Sequence, residues 1–82
     1  MSEKELVLYH NHSFKNRKEI EESNECGCFY CQRIFHSNEV EEYIDEGQTA
    51  ICPYCGIDSV IGNASSVHLT ALFLLCMNKR WI

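Results

Sequence analysis

The sequence predicts a small α+β fold built on two cysteine knuckles, and three observations predict it. Cys28-Phe-Tyr-Cys31 and Cys52-Pro-Tyr-Cys55-Gly56 form two Cys-x-x-Cys pairs with 20 residues between Cys31 and Cys52. That spacing lies at the edge of the range expected of a four-thiolate zinc site. The segments flanking the second pair, 48–51 and 57–61, read as strands leading into and away from it. The segment 67–79 places Leu69, Leu72, Phe73 and Cys76 at i, i+3, i+4 and i+7, the stripe of a buried helix. The whole is a zinc ribbon: two knuckles on β-hairpins, a short linker helix and a C-terminal helix.

The elements follow in chain order. Residues 6–9 are a short apolar run of undetermined type. The polar stretch 13–25 admits a helix capped by Asn11 or Ser13, with Ile20 and Phe14 as inward contacts. Residues 26–35 hold the first cysteine hairpin. Asn38 with Glu41 three positions on has capping-box spacing, and Val40, Tyr43 and Ile44 share one face, so one or two helical turns are expected over 39–44. Asp45-Glu-Gly47 is a turn with Gly47 at positive φ. The strand leaving the second knuckle ends at Gly62-Asn63. Ser65-Ser66 caps the final helix, and Lys79 and Arg80 suit its negative end. Leu74, Leu75 and Met77 make that helix apolar on further sides, so it needs cover from the N-terminal segment, a partner or a second copy. We therefore expect a partly helical N-terminal arm over 1–25 and a zinc-ribbon domain with C-terminal helix over 26–82, one domain overall.

Six cysteines in 82 residues suit a chain of this length. Small domains are only marginally stable on their cores and commonly add a metal or disulfides. The start Met-Ser-Glu-Lys-Glu carries no apolar region of signal-peptide length, and the longest apolar run, 71–77, falls well short of the ~20 residues that cross a bilayer. A cytoplasmic location is expected. There thiols stay reduced, and clustered cysteines read as metal ligands before disulfides.

The formal charge is −5, and residues 26–66 hold six acidic residues against one basic residue, Arg33. Nucleic-acid binders draw most of their affinity from phosphate neutralisation by a basic face. The sign here argues against that class and for a basic protein partner. The acidic run Glu39, Glu41, Glu42, Asp45 and Glu46 is either a solvated face or the docking surface for such a partner.

Cys28, Cys31, Cys52 and Cys55 are the expected metal ligands. Four thiolates complete a tetrahedral zinc shell and leave no position for water, which marks a structural site rather than a catalytic one. Gly56 sits where a residue at positive φ lets the chain pass the metal. Cys-Pro-Tyr-Cys-Gly also resembles the second knuckle of rubredoxin, so iron is the alternative metal, although Gln32 follows the first pair where rubredoxins usually carry Gly. Cys26 competes with Cys28 as a ligand or stands by as a free thiol. Cys76 reads as a small core residue. His10-Asn-His12 is not the nuclease motif its letters suggest. Its histidines are either solvated or an acid–base or second-metal pair. His36 and His68 are isolated.

The stretches Cys26-Gly-Cys-Phe-Tyr-Cys31 and Asp45-Glu-Gly-Gln-Thr-Ala-Ile-Cys-Pro-Tyr-Cys-Gly-Ile-Asp-Ser-Val-Ile-Gly62 resemble a family of small, uncharacterised bacterial cytoplasmic proteins with zinc-ribbon-like knuckles. The resemblance covers residues 26–62. It implies a bacterial cytosolic origin and the same four ligands, and it implies no activity.

The expected function is non-enzymatic: a protein–protein interaction module held together by one structural zinc ion. Its small size and acidity suit an immunity or antitoxin-type protein masking a basic partner. The alternatives are a nucleic-acid or transcription-associated ribbon, using Lys15, Arg17, Lys18, Lys79 and Arg80, and a rubredoxin-like iron protein.

Overall fold

In a computed structural model, residues 2–82 are described. Among the described residues, the chain forms a small mixed α/β fold with antiparallel strands, three α-helices and a cluster of four cysteines compatible with a zinc ribbon. Helix α1 spans Glu3–Asn11. Its N-cap Ser2 accepts a hydrogen bond from the Glu5 amide at 3.2 Å, and Glu3 and Glu5 place negative charge at the positive end of the dipole. The run 6–9 is thus helical, with Leu6 buried.

Helix α2 is short, Arg17–Glu22, and buries Ile20. Its N-cap is Asn16, not Asn11 or Ser13, and the Asn16 side chain makes no capping bond. It ties three segments together instead. Its Nδ2 donates to the carbonyls of His12 and Val60, and its Oδ1 accepts from the Ala50 amide. Phe14, expected inward, precedes the helix and is 56% exposed.

Strand β1, Glu25–Cys28, lies between β2, Ile34–His36, and β5, Val60–Gly62, both antiparallel to it. The register pairs Gly27 with Ile34 on one side and with Ile61 on the other. A separate two-stranded hairpin pairs β3, Tyr43–Ile44, with β4, Thr49–Ala50. Between them Asp45, Glu46 and Gly47 all have positive φ, so the expected turn is present. Arg17 donates to the Gly47 carbonyl and docks this hairpin against α2.

Alternation along the strands sorts the core. Cys26, Cys28 and Val60 join Ile20, Phe35, Val40, Ala50 and Cys52 in one cluster. Ile61 joins Leu6, Phe29, Val67, Phe73, Leu74 and Met77 in another. The knuckle cysteines thus belong to one cluster and the terminal helix to the other.

Three expected boundaries move. The linker's helical element is a single 3-10 turn, Ser37–Glu39, not turns over 39–44. His36 caps it, with Glu39 closing a capping box, so the Asn38–Glu41 pairing does not form, and Tyr43 and Ile44 go to a strand. The last strand begins at Val60 rather than 57, because the Ile57 carbonyl closes the second knuckle and that of Ser59 accepts from the Phe29 amide. Helix α3 spans Ala71–Trp81 and is capped by Thr70, whose side chain accepts from the Phe73 amide. Ser65 ends a 3-10 turn and Ser66 is left-handed, so neither caps it. The shift moves the buried stripe to Phe73, Leu74 and Met77, and leaves Leu72 68% exposed.

The N-terminal segment supplies part of the cover that α3 needs. Tyr9 meets Phe73 edge-on at 5.6 Å between ring centroids. The His10 ring stacks on Trp81 at 3.9 Å, Trp81 Nε1 donates to the Leu6 carbonyl, and Arg80 pairs with Glu3.

Candidate metal centre

The two knuckles share one backbone scheme. In the first, the Cys28 amide donates to the Arg33 carbonyl at 3.0 Å and the Gln32 amide to the Cys28 carbonyl at 2.7 Å. In the second, the Cys52 amide donates to the Ile57 carbonyl at 3.0 Å and the Gly56 amide to the Cys52 carbonyl at 3.0 Å. Each loop therefore bends back on itself and carries its two sulfurs on one side. The residue after the second cysteine is left-handed in both, with φ 65° at Gln32 and 76° at Gly56. Glycine adopts that conformation freely and glutamine only at a cost.

The first knuckle is the β1–β2 turn and the second lies between β4 and β5, so the folding of the strands brings the knuckles face to face. The sulfurs of Cys28, Cys31, Cys52 and Cys55 all lie within 4.8 Å of one another. Cys28 faces Cys55 at 3.6 Å, and Cys31 faces Cys52 at 3.8 Å. Four sulfurs at a metal–sulfur distance of about 2.3 Å on tetrahedral corners stand ~3.8 Å apart. The two cross-knuckle distances are those of such a tetrahedron, so the donor set fits one metal ion.

Cys28 and Cys52 are buried, whereas Cys31 and Cys55 are half-buried. Burial pushes the Cys28 thiol well above its ordinary range, against the backbone amides of Cys31 and Tyr30. Burial also dominates at Cys55 and raises it. Burial opposes ionisation at Cys52 too, but there the amides of Cys55 and Tyr54 and the thiols of Cys55 and Cys31 outweigh it and lower the pKa. A bound cation would reverse the first two shifts, since thiolate is the form that ligates.

Cys26 stands outside the cluster. It is fully buried two residues before Cys28 in β1, paired across to Phe35 and Gly62. Burial, helped by the Glu25 charge, pushes its thiol up to about 12. Cys76 is half-buried beside the Phe73 cluster.

The histidines do not converge. His12 bonds Glu19 through Nδ1 at 2.9 Å, while His10 stacks on Trp81. His36 caps the 3-10 turn and His68 is exposed in the loop before α3. Among the described residues, the four cysteines form the one group with metal-ligand geometry.

A clasp beside the metal centre escaped the sequence reading. The Tyr54 hydroxyl donates to Glu39, the Arg33 guanidinium lies 4.7 Å over the Tyr54 ring, and Phe35 packs on that ring at 5.8 Å. Its one sequence signal is the tyrosine before the second cysteine of each knuckle. Behind the second knuckle, Glu39, Glu41 and Glu42 join Ile51, Cys52, Pro53 and Gly56 around a surface hollow of ≈ 360 Å³.

Here the class of the chain can be stated: it is a small mixed α/β protein with a four-cysteine, metal-binding geometry. Comparison with family models, curated proteins and solved structures finds no match to this chain. The likeness to small bacterial proteins therefore rests on the quoted motifs alone, while the cysteine cluster rests on its own geometry. No helix among the described residues is long and apolar enough to cross a membrane.

Proposed function

We propose that this chain is a structural zinc protein that works as a non-enzymatic protein–protein interaction module for a basic partner in the cytoplasm. The observation that carries the metal assignment is the near-tetrahedral set of four sulfurs at 3.6 and 3.8 Å across the knuckles. Cys28, Cys31, Cys52 and Cys55 are the ligands, and Cys26 is not. Zinc is favoured over iron because small reduced-thiol domains commonly use it as a closed structural site. A shell filled by four thiolates keeps no coordination position for substrate, which favours a structural role.

The acidic side of the second knuckle supports the partner class. Glu41 and Glu42 are exposed there and Glu39 is partly exposed, while Asp45 and Glu46 are exposed at the β3–β4 turn. The candidate basic patch is weaker, since Arg17 pairs with Glu21 and Arg80 with Glu3. Masking of a basic toxin, as immunity and antitoxin proteins do, is the version of this role that charge and size suit best. Leu72 and Leu75, exposed on α3, are a second candidate contact surface.

Elemental analysis of the purified chain tests the metal, with one zinc per chain expected. A visible thiolate-to-iron absorption band would replace zinc by iron. Affinity capture at low and high salt tests the partner. A basic protein retained at low salt, released at high salt and lost with Glu41→Lys plus Glu42→Lys is the expected result. Capture of nothing at either salt overturns it.

A further inference from the structure

Each half-buried sulfur of the cluster faces a buried one on the opposite knuckle: Cys31 faces Cys52, and Cys55 faces Cys28. Hydrogen peroxide and similar two-electron oxidants attack a cysteine sulfur that solvent reaches, and the product condenses with the nearest thiolate. Each accessible sulfur here therefore has a thiolate within reach across the metal site, 3.8 Å away for Cys31 and 3.6 Å for Cys55. We propose that peroxide converts the metal site into cross-knuckle disulfides, Cys31–Cys52 and Cys28–Cys55, that release the metal and keep the two knuckles joined.

The chemistry balances. The Cys31 thiolate attacks peroxide. An S–O bond forms, the O–O bond breaks, and hydroxide leaves and is protonated to water. The Cys52 thiolate then attacks the Cys31 sulfur. The S–S bond forms, the S–O bond breaks, and a second hydroxide leaves as water. Two thiolates, one peroxide and two protons give one disulfide and two waters, and the pair no longer donates to the metal. Cys55 and Cys28 consume a second peroxide in the same way.

The pairing decides what oxidation does to the fold. Bridges within a knuckle, Cys28–Cys31 or Cys52–Cys55, would close four-residue rings and leave nothing joining the two loops. Bridges between knuckles span 27 and 21 positions of sequence. They constrain the unfolded chain as the metal did. Oxidation is thus an exchange of one staple for another, and it alters the surface around the knuckle tyrosines Tyr30 and Tyr54 without unfolding the chain. The inference rests on the zinc reading above, and the metal content measured before oxidant is added tests that reading by itself.

Arg33 makes the experiment direct, because trypsin cleaves between the knuckles. Non-reducing digestion yields residues 19–33, with Cys26, Cys28 and Cys31, and residues 34–79, with Cys52, Cys55 and Cys76. The purified full chain is treated with hydrogen peroxide while a chromogenic chelator follows metal release. The digest is then mapped by fragmentation mass spectrometry. We expect 19–33 joined to 34–79 through Cys31–Cys52 and Cys28–Cys55, with far-ultraviolet circular dichroism and hydrodynamic radius retained. Separate peptides carrying internal bridges, bridges through Cys26 or Cys76, disulfide-linked dimers, sulfonic acids or loss of the circular dichroism signal would each overturn it. If the purified chain holds no metal, the zinc reading fails alone. The same map on the reduced chain still decides the pairing.

Discussion

The sulfur of Cys28 lies 3.6 Å from that of Cys55, across 27 positions of sequence. Cys28 is fixed in the central strand β1, while Cys55 sits on a loop between two different sheets. Without a metal, two thiols at that distance offer each other only a weak hydrogen bond. The relation explains the first prediction.

Replacing Cys52 with Ser should abolish metal binding and unfold the ribbon. Structural zinc is worth an apparent ~10–16 kcal/mol in small peptides, comparable with the about 5–15 kcal/mol that holds a whole domain. Circular dichroism and metal content should fall together. A Cys52→Ser chain that stays folded and monomeric would contradict a structural metal.

Acid and alkali should act through different cysteines. Metal binding displaces the protons that burial holds on Cys28 and Cys55 near neutrality. Each displaced proton weakens affinity about tenfold per pH unit of acidification. Cys26 has its folded pKa raised from 9.0 to about 12. Its contribution to stability is therefore full below pH 9.0 and is lost as pH rises through that window. Metal titrations at several pH values, and alkaline unfolding of the wild type beside Cys26→Ala, check the two limbs. The variant should lose the Cys26 part of the dependence between pH 9 and 12 and keep the part from Tyr43 and Tyr54, whose hydroxyl pKa values are also raised.

The positive φ at Gln32 and Gly56 predicts opposite responses to reciprocal changes. Nothing lies within 4 Å of where a Cβ on Gly56 would stand. Gly56→Ala therefore suffers only the backbone penalty of about 1–2 kcal/mol. Gln32→Gly relieves a similar penalty but gains unfolded-state entropy, for a net stabilisation of at most about 1 kcal/mol. Denaturant midpoints of the two metal-loaded variants should move in opposite directions.

Gly62 is a packing position. A Cβ there would stand 2.2 Å from Ser23 Oγ. That hydroxyl is held in place, donating to the Glu19 carbonyl and accepting from the Ala64 amide. Gly62→Ala should cost about 1–3 kcal/mol of stability by overpacking. Ser23→Ala in the same chain should recover part of that loss, measured by thermal unfolding.

The face of α3 can be read from two adjacent residues. Phe73 is 0% exposed and Leu72 is 68% exposed. Phe73→Ala should destabilise by about 3–5 kcal/mol, and Leu72→Ala by no more than about 0.5 kcal/mol. Equal losses would place the helix in the register expected from its periodicity.

The cysteine pairs were legible because knuckle chemistry is local. Four residues and a left-handed successor define each loop, and the spacing between the loops lies at the edge of the range of a four-thiolate zinc site. The terminal helix was legible as a helix for the same reason, since apolar periodicity is written in a single segment. Its start and buried face were not. Several sides of it are apolar, and the positive φ of Ser66 with the cap at Thr70 sets the phase. The helical character of residues 3–11 was obscured because only Leu6 is buried on it, and its fit to α3 comes through Tyr9, His10 and Trp81, residues about 70 positions apart.

By itself, then, the sequence determined the candidate donors, the two knuckles and an acidic middle around them, since those depend on residue type and short spacing. Tertiary structure decided which sulfurs meet, which of each pair is shielded, and that Cys26 stays apart. Cys26 and Cys28 share a strand and a face, so residue type and alternation treat them alike. Only the position of the second knuckle, set by how β4 and β5 pack against α2 and β1, puts one sulfur within a metal's reach and the other inside the core.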